Sequence, residues 1–139
     1  MAARGGCQVE TALEPVDAED AIRRDVSTEA LKVYAPPVPR DLSSLVPCAV
    51  VRRIGGVRAS AVMDSHDMEL SVWAGSWTEA MRCANALAGR IARLPSRADT
   101  SVQWRTASIT SLPSNAPDPA HPSIPRVQFT ANVTCRTLS

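Results

Sequence analysis

Residues 67–94 constrain the fold more than any other part of the chain. Met68, Leu70, Val72 and Ala74 alternate with Asp67, Glu69, Ser71 and Trp73. A period of two marks a half-buried strand. Gly75 interrupts it, and Ser76 stands three residues before Glu79. That spacing predicts a capping box, with the hydroxyl on one free N–H and the carboxylate on another. Ala80, Met81, Ala84, Leu87, Ala88, Ile91 and Leu94 then form one apolar stripe at helical spacing, and Pro95 ends the helix. A strand running straight into a capped helix holds almost no reactive chemistry. The chain is therefore expected to work through its surfaces rather than through a catalytic pocket.

The 139 residues are expected to form one domain. A chain of that size buries about 68% of its unfolded surface. Hydrophobic residues make up 45% of it and aromatics 4%, so the core must be aliphatic and alanine-rich. Trp73, Trp77, Trp104, Tyr34 and Phe129 are its expected large anchors. A net charge of +1 supplies no strong field for nucleic acid or membrane. The balance is uneven: residues 1–41 carry eight acids and five bases, and residues 42–139 carry six acids and ten bases. Such asymmetry favours head-to-tail association of copies. Fourteen of the fifteen basic residues are Arg, Lys32 being the exception. This usage fits either a GC-rich genome or bidentate interface and phosphate contacts.

Cys7, Cys48, Cys83 and Cys135 have neither metal-ligand nor redox spacing. Reduced thiols and cytoplasmic synthesis are expected. The first residues lack the apolar core of a signal peptide. No run approaches the ~20 apolar residues of a membrane span.

Residues 1–14 show no period and read as a flexible arm. Asp17 opens a helix with acids in its first turn and a stripe of Ala18, Ala21, Ile22, Val26 and Ala30. Leu31–Ala35 suits a short strand, and Pro36, Pro37 and Pro39 an extended connector. Cys48–Ile54 reads as a compact strand ended by Gly55-Gly56, with a loop over 58–65. Residues 101–112 read as a strand needing a bulge near 106–108 to place Val102, Trp104 and Ile109 on one face. Residues 113–125 hold five prolines and read as a long loop. In the last segment Val127, Phe129, Ala131, Val133 and Cys135 alternate with polar residues. The simplest architecture is α+β, a mostly antiparallel sheet of four to five strands with two helices on one face. Glu69, Ser71, Trp73, Thr130, Asn132 and Thr134 would then line the opposite face, left wet or covered by another subunit.

Candidate chemistry is sparse. Asp64, His66 and Asp67 form one local cluster of metal-ligand types, but alternation puts His66 and Asp67 on opposite faces. No Cys/His pairing, nucleophile elbow or phosphate loop stands out, and no cofactor is expected. Arg52, Arg53 and Arg58 form the one basic cluster, read as a solvated strand edge, a contact for a partner's acids, or a passing contact with nucleic acid. Trp73 lies on the polar side of its strand. Either the helix after Gly75 folds over it, or another subunit uses it as an interface anchor.

Three blocks carry a resemblance. Pro47-Cys-Ala-Val-Val-Arg-Arg-Ile-Gly-Gly56, Met68-Glu-Leu-Ser-Val-Trp-Ala74 with the helix from Ser76, and Pro125-Arg-Val-Gln-Phe-Thr-Ala-Asn-Val-Thr-Cys-Arg136 occur in the order seen in tail-terminator (tail-completion) proteins of long-tailed bacteriophages. The chain resembles that family over about residues 17–138. The arm and the His66 region have no counterpart in the pattern. The resemblance implies a small α+β virion protein, made in the host bacterial cytoplasm, with no catalytic residues and no membrane association. It implies a homo-oligomeric ring, usually a hexamer, at the head-proximal end of the tail. Its partners would be the tail tube protein and the head–tail connector or stopper protein, with genomic DNA passing through the lumen. Interface candidates are Arg52, Arg53, Arg58 and Trp73, the loop residues Asn115, Asp118 and His121, and Arg126. The loop over 113–125 and the arm are expected to touch neighbours or the tube, so removing 114–123 should impair assembly and spare the fold. Another neck component, such as a head-closure protein, and a small enzyme with an unrecognised site are the competing readings.

Overall fold

A computed structural model describes residues 13–138 of the chain. The element order is α1 (Ala18–Val26), β1 (Lys32–Tyr34), α2 (Leu42–Leu45), β2 (Cys48–Ser60), β3 (Met63–Trp73), α3 (Trp77–Ala92), β4 (Trp104–Asn115) and β5 (Arg126–Arg136), with a 3-10 turn at Leu94–Ser96. One five-stranded sheet has the order β1-β2-β3-β5-β4. β1 runs parallel to β2, and the other three pairs are antiparallel. The fold is α+β.

Local chemistry sets the helices. Asp17 Oδ1 accepts from the Asp20 N–H at 3.1 Å and caps α1. Ala18, Ala21, Ile22 and Val26 are buried, whereas Ala30 lies past the helix end, exposed. Ser27 and Thr28 end α1 because their hydroxyls accept backbone N–H groups of Val33 and Leu31 instead. At α3, Ser76 Oγ accepts from the Glu79 N–H at 3.1 Å. The Glu79 carboxylate reaches one residue beyond the N-cap, to the Gly75 N–H at 3.0 Å. This closes the helix entrance as a slightly widened capping box.

The core lies between α1, α3 and one face of the sheet. Met68, Leu70 and Val72 of β3 sit beside Val127, Phe129, Ala131 and Val133 of β5, flanked by Ala49 and Val51 of β2. Ala80, Ala84, Leu87, Ala88 and Ile91 of α3 close over them. A register irregularity between Trp104 and Thr106 lets Trp104, Ala107 and Ile109 share this core face. The bulge expected near 106–108 thus sits slightly earlier.

Several expectations are corrected. Gly55-Gly56 does not end β2, and 58–65 is not a loop: β2 and β3 form one long hairpin through Ser60 and Met63. All residues from Arg52 to Ser60 are exposed, so the segment has no apolar alternation to read. Backbone pairing with β3 holds it in place. β4 continues through Pro113 to Asn115, so the connecting loop starts at Ala116. Trp77 is 42% exposed rather than a core anchor. The one-turn α2 was not anticipated, and it lies on the sheet face away from α1 and α3, packed against Cys48, Val50 and Trp73. The expected arm at 1–14 lies outside the described residues except for Leu13 and Glu14, which are tied to Leu138.

Gly56 is the hairpin's tightest point. Its φ is +144°, and a Cβ there would lie 2.2 Å from the Ser65 carbonyl oxygen. Gly56→Ala is expected to cost about 1–3 kcal/mol in urea unfolding. Gly55→Ala, whose Cβ would meet nothing nearer than Asp67 Oδ2 at 3.8 Å, should change stability by no more than about 0.5 kcal/mol.

Candidate interaction surface

The sheet face away from α1 and α3 is built from short polar side chains. Alternation brings Ser65, Asp67, Glu69 and Ser71 of β3 beside Gln128, Thr130, Asn132 and Thr134 of β5. These groups satisfy one another. Gln128 Nε2 donates to Ser71 Oγ at 2.8 Å, and Asn132 Nδ2 donates to Ser65 Oγ at 2.7 Å and Asp67 Oδ1 at 2.9 Å. The Thr106–Thr134 and Thr110–Thr130 hydroxyl pairs each lie at 2.7 Å. A face already bonded to itself gains little from a polar partner.

One end of this face is different. Trp73 points out of it yet is 1% exposed. It is buried in one cluster with Leu42, Cys48 and Val50, and Tyr34, Leu45, Val46 and Ile124 pack against that cluster. The large apolar ring recruits the α2 turn and the 116–125 loop to this side. Neither α3 nor a second subunit covers Trp73; its own chain does.

Asp118 pins the loop there. Its carboxylate accepts from Trp73 Nε1 at 3.2 Å, from the Ala120 N–H at 3.0 Å and from His121 Nδ1 at 2.9 Å. The Arg126 guanidinium lies 3.8 Å from Asp118 Oδ1, with its centre 5.9 Å from the Trp73 ring centroid. Arg126 also donates from Nε to the Ala116 carbonyl at 2.7 Å and from Nη2 to the Pro117 carbonyl at 3.2 Å. Burial raises the Asp118 pKa, but the bonds from His121, the Ala120 N–H and the Trp73 indole, with Arg126 nearby, outweigh it and hold the carboxyl below its ordinary value. The loop is thus fixed at its start, where Asp118 takes the Trp73 and His121 N–H groups and Arg126 binds the Ala116 and Pro117 carbonyls. Between this loop and the Pro36–Val38 connector runs a cleft of about 380 Å³, floored by Val50, Arg52 and Glu69.

Five interface candidates therefore gather at one end of one face: Arg52, Trp73, Asp118, His121 and Arg126. The other three do not. Asn115 closes β4 opposite Val127. Arg53 and Arg58 lie on the helix side of the sheet, so the three arginines are not one basic cluster. Register separates them, Arg52 facing Glu69, Arg53 Met68 and Arg58 Asp64. Two are neutralised: Arg52 bonds Glu69 at 2.8 Å and Arg58 bonds Asp64 at 2.5 Å. Arg53 Nη1 lies 3.4 Å from Nδ1 of the buried His66. Burial and then Arg53 depress the His66 pKa, which favours the neutral ring. Removing 114–123 would take away Asp118, the partner of the buried Trp73 indole N–H, and the last two residues of β4, so it would not spare the fold as the sequence suggests.

Sequence reasoning missed a second indole–carboxylate pin. Asp25, buried in α1, accepts from Trp104 Nε1 at 2.7 Å, from the Ser101 N–H at 2.7 Å and from Ser101 Oγ at 2.9 Å. It ties α1 to the start of β4. The one readable signal is an acid at a position that the 18-21-22-26 stripe places on the inner face.

His66 is buried on the core face, with Asp67 on the other. No group of three or more metal-ligating side chains gathers among the described residues. Burial pushes the Cys48 and Cys135 thiols up to about 11, which keeps them protonated. Among the described residues, no helix is long and apolar enough to cross a membrane. No protein-family model matches the sequence, and no curated protein matches it.

Asp118→Ala is expected to cost about 1–3 kcal/mol in urea unfolding, because it leaves the buried Trp73 indole N–H unpaired. Asp118→Asn keeps an acceptor and should lose less. The depressed carboxyl also sets a sign for pH. Its stabilising contribution is complete above the unfolded value of about 3.9 and declines as pH falls through the lower folded value. Wild-type stability should therefore drop more than that of Asp118→Asn between about pH 5 and 2, as followed by tryptophan fluorescence.

Proposed function

We propose that this chain is a virion structural protein that assembles into a closed ring, caps a bacteriophage tail tube, ends its polymerisation and joins the tail to the head connector. The observation that carries the reading is spatial. The three sequence blocks behind the resemblance are separated along the chain, but they are β2, β3 and β5, three adjacent strands of one sheet. A chance scatter of short motifs has no reason to build one continuous surface, whereas a shared framework does.

Two further features support it. The 116–125 loop is bolted to the sheet at Asp118 and Arg126, which gives a partner a shaped surface with little ordering entropy left to lose. Among the described residues no strand lies beyond β1 or β4, so copies have strand edges available to meet. The partners in this reading are copies of the chain, the tail tube protein and a connector or stopper protein. DNA passes through the lumen without specific capture. Glu69 opposite Arg52 and the hydroxyl lattice give the outer sheet face little net charge with which to hold it.

The test is assembly in solution and on the tube. Purified full-length chain, alone and mixed with polymerising tube protein, is followed by light scattering and electron microscopy. A ring of several times 14.8 kDa, seated on one end of tubes whose growth has stopped, is expected. Tubes that elongate unhindered past a bound or unbound chain would refute the capping role.

A further inference from the structure

The two edges of the sheet are unlike its interior. β1 pairs with β2 only over Cys48–Val50. The Arg53 N–H is held by Glu19 Oε2 at 2.9 Å. Beyond it, Ile54–Ser60 has no described strand on its outer side. That stretch spans about 23 Å at ~3.3 Å per residue. At the far edge, β4 has β5 on one side and, among the described residues, no strand on the other over Trp104–Asn115. The exposed large apolar residues within strands fall on these two edges alone among the described residues. Ile54 is 49% and Val57 67% exposed on β2, and Leu112 is 78% exposed on β4. β3 and β5 carry none.

We propose that a second copy of this chain docks edge to edge, β4 of one copy pairing with the Ile54–Ser60 edge of β2 in the next. The inference rests on the ring reading above and names the surface that would form the ring. Strand direction is the first argument. β2, β3, β5 and β4 are successively antiparallel, so β4 runs opposite to β2. Copies placed side by side in the same orientation therefore meet in an antiparallel ladder, the slightly more stable kind. A rotation about a ring axis preserves that orientation.

Burial is the second argument. Head-to-tail pairing covers Ile54, Val57 and Leu112 together and, after closure, leaves neither β4 nor the Ile54–Ser60 stretch of β2 unpaired. A two-fold pairing of β4 with β4 is also antiparallel, but it leaves Ile54 and Val57 wet and one edge open on every copy. Register is the third. Arg52 lies level with Glu69, Glu69 with Thr130, and Thr130 with Ser111. Leu112 is thus level with Val51, just short of the open edge, and an offset of about three residues between copies sets it beside Ile54. A closed sheet requires such a stagger.

Disulfide trapping tests the pairing in the full chain carrying Cys7→Ser and Cys83→Ser, with buried Cys48 and Cys135 retained. Ile54→Cys and Leu112→Cys are introduced separately and together, and each sample is oxidised and run without reductant. A mixture of the two single variants should give cross-linked dimers, each single variant alone should not, and the double variant should give a ladder that stops at a closed species. Self-cross-linking of either single variant would indicate two-fold pairing and overturn the proposal. So would rings seen by light scattering with no 54–112 cross-link, an outcome that leaves the capping function standing. A chain that stays monomeric with and without the tube overturns both. As a second readout, Ile54→Lys and Leu112→Lys should raise the concentration for half-assembly about tenfold or more at unchanged circular dichroism, because both side chains are exposed in the single chain. Unchanged assembly by both variants would contradict the pairing.

Discussion

The structure depends on covering one face of β3 and β5. Met68, Leu70 and Val72 meet Val127, Phe129, Ala131 and Val133 across a continuous antiparallel ladder. Exposed, each large side chain there would forfeit about 1.5–3 kcal/mol. α3 follows β3 after three residues, Ala74 to Ser76, and its capped entrance turns it back over that face. α1 fills what α3 leaves open, and Asp25 locks it to β4 through Trp104. With one face so committed, the other is free to be polar.

That second face carries what distinguishes this protein from a generic helix-backed sheet. Over most of its area, hydroxyl and amide groups bond one another. At one end a tryptophan breaks the polar pattern, and the chain answers with a one-turn helix and a pinned loop. The loop's prolines supply stiffness, and Asp118 and Arg126 supply position. A surface organised in this way is already shaped before any partner meets it.

Legibility followed burial. The strand at 67–74, the helix after Ser76 and the strand at 126–136 were readable because each buries one face and exposes the other. The hairpin over 54–63 was not, because both of its faces lie beyond the helices and its residues carry no alternation. α2 was too short for a helical period. The bulge in β4 was visible as a phase conflict between Trp104 and Ile109, and its position was off because a phase conflict does not say which residue is extra. Of the interface candidates, the arginines near 52–58 looked like one patch only because they are near in sequence. A strand sends neighbours to opposite faces, and an irregularity between Arg53 and Gly55 shifts the phase again.

The linear order of residues determined the two periodicities, the caps, the α+β class and the division of the sheet into an apolar and a polar face, because these depend on neighbours within a few positions. Only the tertiary structure decided that Asp118 meets the Trp73 indole N–H, that Asp25 meets that of Trp104, and that Arg52 faces away from Arg53 and Arg58. Those relations join groups 45 and 79 residues apart or turn on a bulge. They are settled by which buried polar groups can find partners once the strands have paired, and no local pattern encodes that outcome.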